Sequence, residues 1–427
     1  MSFFYKGGAV IANFLLVPIT INYLNVENYG LWLTISSFIS WFTFFDVGLG
    51  NGLRNKFAEA RAKKKNDLAK AYVSSAYYSI GFIGVLLFLV FWTFNFFIDW
   101  TKVFNANINL FNDLKILMPC IVGLFVLQLV LKLITSIFLA DQNHSIQVKI
   151  HFFTQVICLC IVWFLTQVSE GSLIVFGIIF SGAPVILLLW LNIFMFYGKY
   201  KDIKPTFKLW KIKYLKDIMG LGVEFFIIQI AGVILFSTDN FIISRLYGPE
   251  EVVPYNVAFK YFSVVTMIFS IIVSPYWSSF TEAYIKEEYK WIKKSIKNIL
   301  KIWLIIPLLL AVMMFVSDKF YNIWIGDKID VPVKLSLAMA FFVLLFTFNN
   351  IFVFFINGVG KIRLQLIISI ISMLLNIPLS IFLAKHLNFG LSGIILATTI
   401  SIAISSLIMP IQYKKIINLE ALGIWNK

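Results

Sequence analysis

About a dozen apolar stretches of roughly 20 residues, parted by short polar gaps, limit what this chain can become, because such a stretch as a helix matches a bilayer core of about 30 Å. The approximate spans are 7–24, 29–47, 71–97, 114–140, 146–168, 172–197, 218–244, 253–275, 298–316, 333–356, 364–384 and 389–412. Only 13% of the residues are charged and 60% are hydrophobic, against roughly a quarter charged in a soluble domain. Lipid must therefore solvate most of the surface. The expectation is an all-α polytopic membrane protein.

Charge placement orients the spans. Twelve spans put both termini on one side of the membrane. With that side as the cytoplasm, the termini and the loops after even-numbered spans hold 27 of the 36 Lys and Arg, and the opposite loops hold seven. Basic residues are retained on the cytoplasmic side, and acidic residues contribute little to this bias. The net charge of +15 is thus spread over membrane-flanking loops and not gathered on a nucleic-acid-binding module. Lys6 precedes an apolar stretch, yet Pro18, Thr20 and Asn22 occupy the place of a small-residue cleavage site. The stretch reads as a first transmembrane helix.

No gap is long enough for a folded soluble domain, and no G-x-x-x-x-G-K-[ST] loop is present, which argues against ATP hydrolysis by this chain. Cys120, Cys158 and Cys160 lie in apolar spans and read as packing residues. His144 and His151 lie near a cytoplasmic loop and His386 on the far side, so no metal is expected. Two of the larger loops, 48–70 and 276–297, alternate Phe57, Ala58 and Leu68 with Arg61, Lys63, Lys64 and Lys65, and Phe280, Ala283 and Trp291 with Lys286, Lys290, Lys293 and Lys294. Both suggest amphipathic helices on the membrane surface, resting on anionic lipid headgroups or simply anchoring the bundle.

Shifting the chain by 223 residues aligns the second span and its loop with the eighth without a gap. Glu27 meets Glu250, Trp32 meets Tyr255, Ser40 meets Ser263, Thr43 meets Thr266, and Phe57, Glu59, Ala60 and Lys63 meet Phe280, Glu282, Ala283 and Lys286. Two six-helix bundles of the same orientation follow, related by a pseudo-two-fold axis along the membrane normal, an arrangement found in transporters. The expected divisions are a first bundle over 1–197, a basic cytoplasmic linker over 198–216 and a second bundle over 217–427.

Polar residues recur at helical spacing in several spans: Ser37, Ser40, Thr43 and Asn51; Lys260, Ser263, Thr266, Ser270 and Ser274; Thr347, Asn350 and Asn357; Gln365, Ser369, Ser372, Asn376 and Ser380. Each stripe can join helices or face a hydrated cavity, and the set together favours a cavity. Lys132, a turn from Gln128 and Thr135, and Lys260 are candidate cavity cations. Each either binds an anionic substrate group or neutralises a buried carboxylate, since a charge at mid-membrane costs about 2.5–3.5 kcal/mol. Asp46, Glu224 and Asp239 are candidates for ion coupling or for structural pairing. Pro18, Pro184, Pro307 and Pro378 are expected to kink their helices.

The runs Asn22-Tyr23-Leu24, Glu27-Asn28-Tyr29-Gly30-Leu31-Trp32-Leu33 and Asp46-Val47-Gly48-Leu49-Gly50-Asn51-Gly52-Leu53-Arg54-Asn55 resemble the opening of the polysaccharide biosynthesis flippases. These are the Wzx-type transporters of O-antigen and capsule repeat units, in the superfamily that also holds multidrug and toxic-compound exporters and the lipid II flippase. Leu246-Tyr247-Gly248-Pro249-Glu250-Glu251-Val252 and Tyr255-Asn256-Val257-Ala258 are similar to the family's junction between the seventh and eighth spans. Val253-Pro254 stands where members often have Gly before the Tyr. These motifs cover about a quarter of the chain.

The resemblance implies a non-enzymatic flippase in the bacterial cytoplasmic membrane, both termini cytoplasmic. It would move an undecaprenyl-diphosphate-linked oligosaccharide between leaflets by alternating access. It implies no cofactor beyond proton or sodium coupling, and it implies other polysaccharide assembly proteins as partners beside the surrounding anionic lipids. Arg54 falls in the family motif and either meets the diphosphate or serves as a positive-inside anchor. Substrate-binding candidates are then Arg54, Lys132, Lys260, Ser40, Ser263, Thr266, Asn350 and Asn376. The alternative in the same superfamily is an ion-coupled exporter of small amphiphilic or cationic compounds. A membrane enzyme would need a large loop with clustered catalytic groups, which this sequence lacks.

Overall fold

The computed structural model describes residues 2–42, 49–141, 143, 145–219, 223–326 and 329–426. Among these the chain is helical without strands and divides into two compact units, residues 1–226 and 227–427. The first unit holds α1 (Ser2–Leu24), α2 (Val26–Ser40), α3 (Leu49–Ala62), α4 (Asn66–Asn95), α5 (Trp100–Phe104), α6 (Phe111–Leu131), α7 (Leu133–Ala140), α8 (Ser145–Val168), α9 (Leu173–Tyr197) and α10 (Ile212–Met219). From α11 (Val223–Tyr247), which crosses the boundary, the chain continues through α12 (Val252–Val273), α13 (Tyr276–Ile285), α14 (Tyr289–Trp303), α15 (Ile305–Ile325), α16 (Val333–Val359), α17 (Arg363–Ile381) and α18 (Leu391–Ile417).

Eleven helices among the described residues are long and apolar enough to cross a bilayer. The twelfth expected span, 29–47, corresponds to α2, whose 15 helical residues lie next to positions outside the described set. Large apolar side chains such as Ile186 (70% exposed) and Phe315 (92% exposed) point away from their bundles. Helices can present such surfaces to lipid because their own turns satisfy the peptide groups.

The duplication is reproduced in backbone detail. Asn25 has φ 70° before α2, and Gly248, 223 positions later, has φ 107° before α12. Asn and Gly tolerate this left-handed conformation best, and Asn25 also caps α2 by accepting from the Asn28 amide at 2.9 Å. After α3 and α13 the corresponding residues Lys64 and Glu287 again have positive φ, 54° and 57°. Each bend closes with the same pair of bonds: Lys64 N to Arg61 O and Lys65 N to Ala60 O in one copy, Glu287 N to Tyr284 O and Glu288 N to Ala283 O in the other. This is the paired closure of a Schellman-type helix end. Even the exposed ion pairs match, Lys63 with Glu59 at 2.6 Å and Lys286 with Glu282 at 2.5 Å. In both, the lysine's hydrogen bond and charge hold the carboxyl below its usual range.

Two expectations are corrected by packing. The 48–70 helix does not lie free on a membrane surface. Leu53 and Phe57 of α3 are fully buried in a core with Ile80 of α4, Ile134 and Ile137 of α7, and Ile218 of α10. Its apolar residues meet the bundle instead of headgroups. Likewise Phe280 of α13 is fully buried, and α13 packs on α16. Pro307 stands just after the interruption at Leu304 that parts α14 from α15; lacking an amide hydrogen it cannot bond the Trp303 carbonyl, so this helical stretch breaks where a proline is expected to break it.

The segment 198–216, expected as a linker, is docked on the first unit. The Thr206 and Lys211 amides donate to the Ser74 and Ser75 hydroxyls at 3.0 and 3.2 Å, and Trp210 Nε1 donates to Ser79 Oγ at 2.9 Å. Ser74 and Ser75 are completely buried beneath it. In the second unit, α18 packs on α16 and α17, and α12 on α16.

Gly52 carries the tightest part of the α3 contact. A Cβ there would stand 2.1 Å from the Ile218 carbonyl oxygen. Gly52→Ala is expected to destabilise the protein by about 1–3 kcal/mol, the usual range for overpacking, read as a lowered melting temperature in detergent. Gly81→Ala, at a position where a Cβ meets nothing within 4 Å, is expected to leave it unchanged.

Candidate substrate cavity in the first unit

Four helical spans of the first unit turn one face each toward a common cavity of about 590 Å³. α2 supplies Trp32, Ser36, Ile39 and Ser40; α6 and α7 supply Ile121, Phe125, Gln128, Lys132 and Thr135; α8 supplies Gln147, Ile150, His151 and Thr154; α9 supplies Phe180, Ser181, Pro184 and Leu188. Within each span these positions recur every three or four residues, so they share a face. The lining is a mixed one: aromatic and aliphatic side chains, amides and hydroxyls, His151 and one lysine.

Lys132 sits where the span is interrupted. α6 ends at Leu131 and α7 begins at Leu133, and the Thr135 amide bonds the Lys132 carbonyl at 2.9 Å in a tightened three-residue turn. The Thr135 hydroxyl donates to the same carbonyl at 2.8 Å. This leaves the Leu131 carbonyl to Asn192 of α9, whose Nδ2 reaches it at 2.9 Å and also the Leu188 carbonyl at 2.8 Å. Asn192 Oδ1 in turn accepts from the Tyr77 hydroxyl of α4 at 2.7 Å. A broken helix in a membrane needs such substitutes for its lost backbone partners. The Lys132 side chain is exposed to the cavity, and among the described residues it forms no ion pair.

Further polar atoms face the same space. The Thr154 hydroxyl is buried and has no hydrogen-bond partner among the described residues. Pro184 lies inside α9 and cannot donate to the Phe180 carbonyl, as an amide there would. Ser40 donates to the Ser37 carbonyl at 2.6 Å. A few placed polar groups beside apolar and aromatic side chains are the lining of a ligand site.

Of the residues singled out in the sequence, Ser40 and Lys132 therefore meet in one cavity. Arg54 is half-buried on α3 and is not part of that lining. Lys260, Ser263 and Thr266 lie along α12, with Ser263 donating to the Lys260 carbonyl at 2.9 Å and Thr266 to the Ser263 carbonyl at 2.6 Å. Ser263 thereby repeats the bond Ser40 makes in the first copy. Asn350 is half-buried on α16. Asn376 is fully buried on α17 and donates to Thr398 of α18 at 3.0 Å, an interhelical tie.

Asp239 on α11 is buried and accepts from the Tyr255 hydroxyl at 2.5 Å, while its other oxygen has no hydrogen-bond partner among the described residues. Asp46 and the side chain of Glu224 lie outside the described residues. Gln147, His151, Thr154 and Ser181 were not expected as site residues, although their period of three to four was visible in spans five and six. Asn192 and Tyr77 left no such signal, because a single polar residue in an apolar span does not reveal its partner. Among the described residues no group of His, Cys, Asp and Glu could hold a metal.

The family model for polysaccharide biosynthesis proteins matches residues 3–281, well over half of the chain. The chain belongs to the polysaccharide biosynthesis protein family. The MatE family model also matches residues 225–382 in the second half. A protein of Yersinia pseudotuberculosis, provisionally named an O-antigen export protein, is 22% identical over 91% of this chain and 88% of its own length. A provisionally named O-antigen transporter of Salmonella typhimurium is 24% identical over 65% of this chain and 63% of its own. Among solved structures, a multidrug resistance MATE family transporter of the MOP superfamily in an inward-facing conformation superposes with a TM-score of 0.76 at 13% identity, over 98% of this chain and 95% of that one. An outward-facing structure of such a transporter gives 0.67 at 14% identity, over 97% and 94%. At that identity the likeness establishes the fold, a MATE-type polytopic membrane bundle.

Because Asn192 can support the interruption without touching the cavity, Asn192→Leu separates geometry from chemistry. The Leu131 carbonyl then loses its donor, at a cost of about 1–3 kcal/mol for a buried unsatisfied group. A lowered melting temperature, with reduced labelling of Lys132 by a membrane-permeant amine reagent, is the expected outcome; Tyr77→Phe should give a milder form of both.

Proposed function

We propose that this family member is a flippase that carries an undecaprenyl-diphosphate-linked oligosaccharide from the cytoplasmic to the outer leaflet of the bacterial cytoplasmic membrane. The observation that carries the reading is Lys132, a cation without an ion pair among the described residues, set in a cavity lined by amides, hydroxyls, a histidine, aromatic rings and aliphatic side chains. A diphosphate calls for a cation, and sugars call for hydrogen-bonding groups and flat apolar faces. A charge at membrane depth is costly, and such residues mark substrate or ion pathways. The O-antigen export named for the relatives supports the same substrate class.

The mechanism in this reading is alternating access, with no covalent step. The lipid tail stays in hydrocarbon while the head group passes through a polar cavity. Lys132, with Ser40 beside it, meets the diphosphate or the first sugar. Arg54, Lys260, Ser263, Thr266 and Asn350 are proposed as further contacts along the route, whereas Asn376, fully buried and tied to Thr398, is a structural residue. Both termini are assigned to the cytoplasm on the basic-residue bias. Asp239 is proposed as a coupling carboxylate, because one of its oxygens is buried and has no hydrogen-bond partner among the described residues; Asp46 and Glu224 remain candidates on sequence alone. Other polysaccharide assembly proteins are the proposed protein partners.

The second reading, an ion-coupled exporter of small amphiphilic or cationic compounds, draws on the MatE match in the second half. A cationic substrate would be repelled by Lys132, which favours the flippase.

Reconstituted proteoliposomes containing a fluorescent undecaprenyl-diphosphate oligosaccharide should show protein-dependent movement of the sugar between leaflets. Lys132→Ala is expected to slow it at least tenfold and Lys132→Arg to retain much of it, since about 1.4 kcal/mol of lost ion pairing is a factor of ten. Asp239→Asn should abolish the response to an imposed proton or sodium gradient. Drug efflux without sugar movement in the same vesicles would transfer the assignment to the exporter.

A further inference from the structure

The two copies of the internal repeat differ in what covers them. In the first, α4 presents Ala71, Ser74, Ser75 and Ser79, all buried, beneath residues 206–211 of the same chain. Adding 223 to those positions gives Lys294, Lys297, Asn298 and Ile302 on α14, and every one of these is exposed. The opposite face of α14, with Ile292, Ser295, Ile296 and Ile299, is buried against α13, α15 and α16. Lys290, Lys294, Lys297 and Lys301, spaced by four, three and four residues, form a single exposed stripe. None of the four has an ion-pair partner among the described residues. Neighbouring Lys293 instead donates to Asn418 at 3.2 Å.

The depth of the stripe is set by its own helix. Ile302, Leu304, Ile305 and Leu308 follow at 37, 66, 62 and 69% exposure, at the start of the lipid-facing part of the helical stretch Tyr289–Ile325, which is long and apolar enough beyond its lysines to cross a bilayer. Lys301 is within one turn of those first residues, and Lys290 stands about 16 Å farther out at 1.5 Å per residue. Lys297 and Lys301 therefore lie at the level where hydrocarbon gives way to headgroups. Attraction to an anionic membrane surface fades over a Debye length of about 8–10 Å, so these two carry most of it. Exposed Trp291 on the same helix suits the interface, which favours amphipathic rings.

We propose that the lysine face of α14 is a binding site for the headgroups of anionic phospholipids, so that the second unit is completed by lipid at the place where the first is completed by its own segment 198–216. This assigns to particular residues the anionic-lipid contact expected of the loops in general, and it does not depend on what the protein transports.

The test uses the full-length protein, delipidated in a neutral detergent, with melting temperature followed as phosphatidylglycerol, phosphatidylcholine or inorganic phosphate is added. Phosphatidylglycerol is expected to raise the melting temperature, with phosphatidylcholine and phosphate having little effect. Replacing Lys290, Lys294, Lys297 and Lys301 with Gln should weaken the apparent phosphatidylglycerol affinity at least tenfold, and Lys297→Gln with Lys301→Gln should account for most of that. A control that removes equal charge from the first unit, Lys64, Lys65, Lys208 and Lys213 to Gln, should keep the response. An undiminished response in both α14 variants, an equal loss in the control, or an equal effect of phosphate or phosphatidylcholine would overturn the proposal. The double variant keeps the test decisive if the fourfold variant does not fold. Sugar translocation measured on the same samples reports separately on the flippase reading.

Discussion

Hydrocarbon offers no hydrogen-bond partner to a peptide group, and nearly every feature of this protein follows from that. It makes the spans helical, and it lets Phe315 and Ile186 face outward without penalty. It also makes any departure from regular helix visible as a structure with its own support. At Leu131–Leu133 that support is Asn192, held by Tyr77, together with the Thr135 hydroxyl. The interruption places the cavity lysine, so a rule about backbone amides ends by positioning a charge.

The same constraint explains the economy of the duplicated region. Where the chain must turn back into the membrane after α3 and α13, it closes both helix ends with the same two backbone bonds and accepts positive φ at Lys64 and Glu287. These bends are kept at the same register although few side chains agree between the copies. Backbone closure depends on the path of the chain more than on side-chain identity, whereas the covering of each copy depends on side chains. Buried serines under the 198–216 segment in one copy and exposed lysines in the other are the result.

Much of the architecture was legible in the sequence because apolar length and basic-residue placement are one-dimensional signals. The spans, the repeat offset and the pairing of Lys132 with Gln128 and Thr135 could be read from spacing alone. The amphipathic loop helices could not. Phe57 and Phe280 have the spacing expected of membrane-surface residues, but the same spacing serves equally to pack on a helix bundle, and only the presence of α10 and α16 decides between them.

By itself the sequence determined that the chain spans a membrane many times, that its halves are duplicates, and that a lysine lies deep in the fourth span. These depend on composition and period, which need no partner. The tertiary structure alone decided that Ser40, Gln147, His151, Thr154 and Ser181 surround that lysine, that Asn192 holds its helix open, and that the supposed linker is part of the first unit. Each of those is a contact between residues far apart in the chain. The hydrophobic period says which face of a helix turns inward, but not which other helix it will find there.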